Sequence, residues 1–130
     1  MSYYFTKVTS LGYEAALVSV QEELKKEGFG IITEIDVKET LKKKLNVDFR
    51  RYKILGACNP SFAHQALQIE RRIGAMLPCN VIVQEREDGR TEVSAINPLE
   101  SMKVVANPQL EQIGSQVAAK LKGIVERMKS

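Results

Sequence analysis

The chain has no tryptophan, one histidine and two cysteines among 130 residues, and each scarcity removes a class of chemistry. Three Cys/His side chains fall short of the four that a structural zinc site usually takes, and no C-x-x-C or H-x-x-x-H spacing occurs, so no metal is expected. Two cysteines, Cys58 and Cys79, do not form a disulfide framework, and a domain of this length does not need one. The expectation is a pair of free thiols in a reducing compartment. Aromatic residues are only 6% and tryptophan is absent, which leaves few platforms for stacking bases. No phosphate-binding loop is present, and Gly28-Phe29-Gly30 lacks the remainder of a dinucleotide fingerprint. The uncharged run Ile73–Gln84 is too short for a bilayer and is broken by Pro78 and Asn80. The opening MSYYFTKVTS has neither the basic start nor the apolar block of a secretion signal. These features lead to the expectation of a cytoplasmic protein that makes no membrane contact.

What is present is ordinary globular composition, 44% apolar and 27% charged, with enough chain for one domain and one core. The net charge of +3 is unevenly placed. Residues 38–53 hold Lys38, Lys42, Lys43, Lys44, Arg50, Arg51 and Lys53 against Glu39 and Asp48, so the rest of the chain is slightly acidic. Such a segment usually forms a solvated face. It also defines one alternative function, an electrostatic partner-binding module built on Lys42–Lys44 and Arg50–Arg51, with nucleic acid disfavoured by the small total charge and the missing aromatics.

Patterning predicts the order β-α-β-(α)-β-α-β-β-α, an α+β single domain (residues 1–130) with helices packed on a largely antiparallel sheet. Strands are expected at Tyr3–Thr9, Phe29–Ile35 and Arg51–Cys58. Tyr13–Glu27 carries Leu17, Val20 and Leu24 at helical spacing, with Glu22–Lys26 as a surface pair and Gly28 as its stop. Asp36–Glu39 resembles a capping box before a short helix presenting Val37, Leu41 and Leu45. Asn59 and Pro60 start a helix expected to reach about Ile73. Cys79–Arg86 and Arg90–Ile96 read as a hairpin around Asp88-Gly89, which suits a two-residue type I′ turn. That register pairs Glu87 with Arg90, Val83 with Ser94, Val81 with Ile96, Cys79 with Pro98 and Asn80 with Asn97, and it sets Glu85 against Glu92. The final helix, from Asn107-Pro108 to Met128, carries a long stripe of Leu110, Ile113, Val117, Leu121, Ile124 and Met128. The stripe suits a cover for the sheet, and part of it is also available to a partner subunit.

Candidate chemistry gathers in GACNPSFAHQAL (Gly56–Leu67). On a helix beginning at Pro60, Phe62, Ala66, Ile69 and Ile73 share a face, while His64 points away beside Gln68 and Arg71. A Cys58–His64 dyad is therefore disfavoured. Cys58 precedes a helix N-terminus, a place that favours a thiolate. Whether Cys79 meets it depends on topology. Parallel neighbouring strands would put the two cysteines at opposite sheet ends, and antiparallel strands would put both at one end.

The stretches KKEGFGIITEIDV, YKILGACNP, IGAMLPCNVIVQE, the DG turn and AINPLESM together resemble the domain-of-unknown-function family 302, over nearly the whole chain. The motif positions are Cys58, Asn59, Pro60, Leu77, Pro78, Cys79, Asn80 and Pro98. The resemblance implies a compact α+β domain, homodimeric, from prokaryotes, with a site but no assigned reaction. The leading expectation is a homodimer that binds a small ligand through Cys58, Asn59, Cys79, Asn80 and Asn97, its cofactor needs unspecified. The main alternative is a thiol enzyme or redox protein with Cys58 and Cys79 as catalytic candidates.

Overall fold

A computed structural model describes residues 2–130. Five strands, β1 (Tyr4–Thr9), β2 (Gly30–Asp36), β3 (Tyr52–Cys58), β4 (Cys79–Glu85) and β5 (Thr91–Ile96), form one sheet. Their order is β1-β5-β4-β3-β2, and every neighbouring pair is antiparallel. Five helices accompany them: α1 (Tyr13–Lys26), α2 (Val37–Leu45), α3 (Pro60–Ile69), α4 (Pro98–Ser101) and α5 (Pro108–Glu126). The α+β class is the one the patterning predicts, and the order of elements departs from the prediction by the short α4, which it did not include.

One face of the sheet is covered. Leu55 and Ala57 of β3, Val81 and Val83 of β4, and Val93 and Ala95 of β5 point into a core roofed by α1 and α5. Period-2 strands and period-3.6 helices present their apolar sides to one another there. Leu17, Val20 and Leu24 descend from α1, and Val117, Leu121 and Ile124 from α5. Leu24, Leu55 and Leu121 are fully enclosed, each contributing about 2–3 kcal/mol by leaving water. Every member of the predicted α5 stripe is buried within the chain: Ile113 to Met128 join the core over the sheet, and Leu110 packs with Ala66, Ile73 and Met102. The stripe's outer end is tied to α1 by ion pairs: Arg127 Nε donates to Glu23 Oε1 at 2.8 Å, and Arg127 Nη2 to Glu27 Oε2 at 3.1 Å.

Several local expectations are corrected. The hairpin is a three-residue loop, because Arg86 N donates to Arg90 O at 2.8 Å and Gly89 stands at φ +80°. Asp88 Oδ1 accepts from Arg90 N at 3.0 Å and fixes the turn. The added loop residue shifts the register by one, to Val83–Val93, Ile82–Ser94 and Val81–Ala95. A one-residue slip reverses the faces of a strand, so Val93 and Ala95 enter the core and Ser94 leaves it. Glu85 faces Thr91, and Glu92 faces Gln84, whose Nε2 donates to the Glu92 carboxylate at 3.0 Å. The expected Glu85–Glu92 repulsion does not arise.

No residue of α2 is buried, and Leu45 is 66% exposed. This helix lies against β2 and β3 without a roof above it, which its predicted apolar face did not foretell. Its start is as expected, with Asp36 Oδ1 accepting from Glu39 N at 3.0 Å. Helix α3 stops at Ile69, because Glu70 is extended and its carboxylate accepts from Arg72 N at 2.9 Å. A separate 3₁₀ turn, Ile73–Met76, then buries Ile73. On α1, Lys26 pairs with Glu23 at 2.8 Å rather than with Glu22.

Candidate functional site

The antiparallel pairing of β3 with β4 decides where the cysteines lie. Ala57 faces Cys79 and Gly56 faces Asn80, so Cys58 ends β3 where Cys79 begins β4. The sheet carries no side chain at Gly56, and that lets Thr33 of β2 and the Pro78 ring close over it. No disulfide joins the two cysteines in this structure.

Beside this sheet end is a cavity of about 320 Å³, the volume of roughly ten waters at liquid density. Its floor is the ends of β3 and β4. One wall is α3, through Phe62, Ala63, Ala66 and Leu67, and the other is α5, through Ile113, Gly114 and Val117. Phe29, Ile32, Leu77, Pro78 and Met102 complete it. No charged side chain lines it, and its polar groups are the Cys58 and Cys79 thiols and the Asn59 amide.

Each group is held differently. Cys58 is half-buried at the strand-to-helix corner, whereas Cys79 is 8% exposed. Burial pushes the Cys79 thiol up to about 11, and the neighbouring Cys58 adds to the rise. Asn59 occupies the N-cap position of α3, but its side chain does not bond its own helix. Instead Nδ2 donates to the Glu27 carbonyl at 3.2 Å, tying the end of α1 to the start of α3. Gly28, at φ +87°, brings the chain out of α1 directly beneath that amide. Asn59 also lines the cavity.

Of the five predicted ligand-binding residues, Cys58, Asn59 and Cys79 meet at this cavity; Asn80 and Asn97 do not line it. Asn80 is exposed on the far side of the sheet. The pairing of Asn80 with Asn97 is corrected by the shifted register. Asn97 is buried beyond β5, where Nδ2 donates to Ser2 O at 3.2 Å and Oδ1 accepts from Leu99 N at 3.2 Å. Both ends of its amide are thus occupied by the fold. His64 is exposed and outside the cavity. The walls supplied by Phe62 and Ala66 were visible in the sequence as an apolar helix face. Phe29, Leu67, Met102 and Val117 carry no sequence signal that separates a cavity wall from core.

The basic segment lies elsewhere. Lys42 pairs with Asp48, Lys43 with Glu39, Lys53 with Glu34, and Arg51 with Glu85 and Glu14. Arg50 is stacked over Phe49 and Tyr52 and donates to Gln84 Oε1. Much of its charge is therefore matched within the chain. Among the described residues no cluster of three or more His, Cys, Asp or Glu could hold a metal, and no helix is long and apolar enough to cross a membrane.

The family model described as "Domain of unknown function DUF302" matches residues 5–128. An uncharacterized protein of Aquifex aeolicus (strain VF5) is 23% identical over 129 residues, which is 97% of this chain and 83% of that protein. The crystal structure of an uncharacterized conserved DUF302 protein from Bacillus stearothermophilus superposes with a TM-score of 0.92. Its sequence is 28% identical, and the match covers 99% of this chain and 100% of that one.

Proposed function

The chain belongs to the DUF302 family, and from that premise we propose that it is a cytoplasmic, homodimeric binding protein for a small, uncharged, largely apolar ligand. The carrying observation is the cavity of about 320 Å³ whose walls contain no charge and whose few polar groups converge at one end. Ligand sites of this kind are mostly apolar, with a small number of placed polar groups, and this volume lies at the lower end of their range. An ionised ligand would lose its hydration without gaining a counter-charge. An alkyl or aryl body fits the walls formed by α3 and α5, and Asn59 lines the same cavity. Cys58, Asn59 and Cys79 are the contact residues of this reading.

A titration with the neutral fluorophore N-phenyl-naphthylamine tests it. Binding to the purified chain should saturate at one per cavity and weaken by at least about tenfold in Ala63→Phe, whose ring would occupy the space. Equal binding by the filled variant places the probe elsewhere and removes the reading.

The dimer is supported by the sheet face opposite the one roofed by α1 and α5. Ile35, Ile54 and Ile82 stand in register on it, followed by Ser94 and Thr6, a row across all five strands. Five strands about 4.8 Å apart and about six residues deep give roughly 24 by 20 Å, so two copies face to face would bury on the order of 1,000 Å², the lower bound for a stable interface. Native mass spectrometry should show a dimer for the wild type and a monomer for Ile54→Lys. A wild type that is monomeric at tens of micromolar overturns the assignment.

A further inference from the structure

We propose that Cys58 and Cys79 act together as a dithiol that reduces an apolar organic disulfide bound in the cavity. The proposal rests on the cavity reading above, and it adds a reaction to it. Three observations carry it: both thiols line the same cavity, they meet at one end of the β3–β4 pair, and they differ sharply in burial.

The first question is reach. Ala57 is directly opposite Cys79, so Cys58 is one residue further along. A strand separation of about 5 Å and one rise of about 3.4 Å place the two Cα atoms about 6 Å apart, within the span a disulfide tolerates. Cys58 is the last residue of its strand, where the chain turns into α3, and both cysteines line the cavity. Strand alternation sets Cys58 on the face opposite Ala57 and Cys79, so a bond between them needs the chain to rotate at Cys58, at the end of β3.

The second question is order. Cys58 is half-buried and meets a ligand first, whereas Cys79 is nine-tenths enclosed. Burial holds the Cys79 thiol protonated, with its value pushed to about 11. An accessible thiol that attacks and an enclosed one that resolves is the division of labour that exchange requires. In the first step Cys58 loses its proton to water and its sulfur attacks R–S–S–R. The substrate S–S bond breaks, one R–S⁻ leaves and takes a proton, and Cys58–S–S–R remains. In the second step Cys79 loses its proton and attacks the Cys58 sulfur, expelling the other R–S⁻, which is protonated to R–SH. Two electrons pass from the cysteines to the substrate, which leaves as two thiols, and the chain holds a Cys58–Cys79 disulfide.

The walls select the substrate. They present no cation or acid to polarise an O–O or C=O bond, so peroxide or acyl chemistry would go unassisted. Disulfide exchange needs only a thiolate and a leaving thiolate. The absence of charge on the walls also disfavours charged disulfides of the glutathione kind.

Dipropyl disulfide and bis(2-hydroxyethyl) disulfide have the same skeleton and differ only in a terminal methyl or hydroxyl. Each is incubated with the reduced full chain without oxygen, and its rate is normalised to that with a short cysteine peptide. Dipropyl disulfide should be favoured by at least about tenfold. The wild type should release two propanethiols per chain and show the mass loss of two hydrogens. Cys79→Ser should release one and retain a propylthio group on Cys58, and Cys58→Ser should do neither. A wild type that stops at the mixed disulfide, or that reacts equally with both probes, overturns the proposal. The neutral fluorophore separates the two readings in the Cys58→Ser/Cys79→Ser variant. Retained fluorophore binding beside a failed exchange in the wild type sinks the dithiol alone, and loss of binding by the wild type itself sinks the cavity.

Discussion

Gly56→Ala is expected to cost this chain measurable stability, and the magnitude follows from its neighbours. A Cβ at Gly56 would overlap Thr33 Oγ1 outright, stand 2.8 Å from Pro78 Cγ and 3.3 Å from Thr33 Cβ. The threonine hydroxyl can rotate away on its edge strand, but the proline ring is fixed between Leu77 and Cys79. Overpacking of this kind costs about 2–3 kcal/mol, and the stiffer unfolded chain of the alanine variant returns about 0.5 kcal/mol. The net loss is about 1.5–2.5 kcal/mol. With an unfolding entropy of about 2.1 cal/mol/K per residue over 130 residues, this lowers Tm by about 5–9 °C. Scanning calorimetry reads it directly. Adding Thr33→Ala should recover about half of the loss, because the contact with Pro78 persists. A Gly56→Ala variant within about 1 °C of wild type would show that the β2–β3–β4 corner yields freely, and the close approach would have no energetic meaning. Full recovery in the double variant would remove Pro78 from the account.

Three further outcomes follow from the same structure. Alkylation of the native chain by iodoacetamide at pH 8 should leave Cys79 unmodified until denaturant is added, since a thiol at about 11 is on the order of one part in a thousand thiolate there; peptide mapping checks it, and rapid native labelling of Cys79 contradicts its enclosure. Asn59→Ala should destabilise by about 1 kcal/mol through loss of the bond to Glu27 O, whereas Asn59→Asp, which cannot donate it, should do no better; urea unfolding of both variants decides this. Glu23 is held below the ordinary carboxylate value of 4.5, first by the hydrogen bond from Lys26 and then by that from Arg127. Its contribution is thus complete above that value and fades as the pH falls through the depressed one, so Glu23→Gln should flatten the acid limb of the stability curve while costing under about 1 kcal/mol at neutral pH.

The sequence carried the elements well because each had its own signal. Asn107 caps the last helix as its Asn-Pro pair announces, with Oδ1 accepting from Gln109 N and Leu110 N, and Asn97 caps α4 in the same way, accepting from Leu99 N. Pairings between elements were harder. Asp-Gly is compatible with both a two-residue and a three-residue hairpin, and the choice depends on whether Val93 or Ser94 can be accommodated under α1 and α5. That is a property of the assembled core. The local pattern around α2 was similarly blind: Val37, Leu41 and Leu45 have the right spacing for a buried face, but Val37 and Leu41 are only half-buried and Leu45 is exposed.

The site shows the same division more sharply. Proximity in sequence offered His64 as the companion of Cys58, and helical geometry alone was enough to reject it. What supplies Cys79 instead is the antiparallel return of β4, which no spacing rule encodes. Several residues fix that return at one corner. Gly56 admits Thr33 and Pro78, Asn59 anchors α3 to the end of α1, and Gly28 lets the chain pass beneath it. Of these only Asn59 brings a polar side chain among the cavity's lining residues, yet each sets where the two thiols stand relative to the cavity. Substitutions at this corner should therefore couple stability to thiol reactivity. Gly56→Ala, by displacing Pro78 and hence Cys79, should slow closure of the Cys58–Cys79 bond as well as lower Tm, whereas Ala63→Phe should block substrate entry while leaving the thiols' spacing intact. If Gly56→Ala lowers Tm but leaves bond closure at the wild-type rate, the corner serves folding alone and the position of the thiols is independent of it.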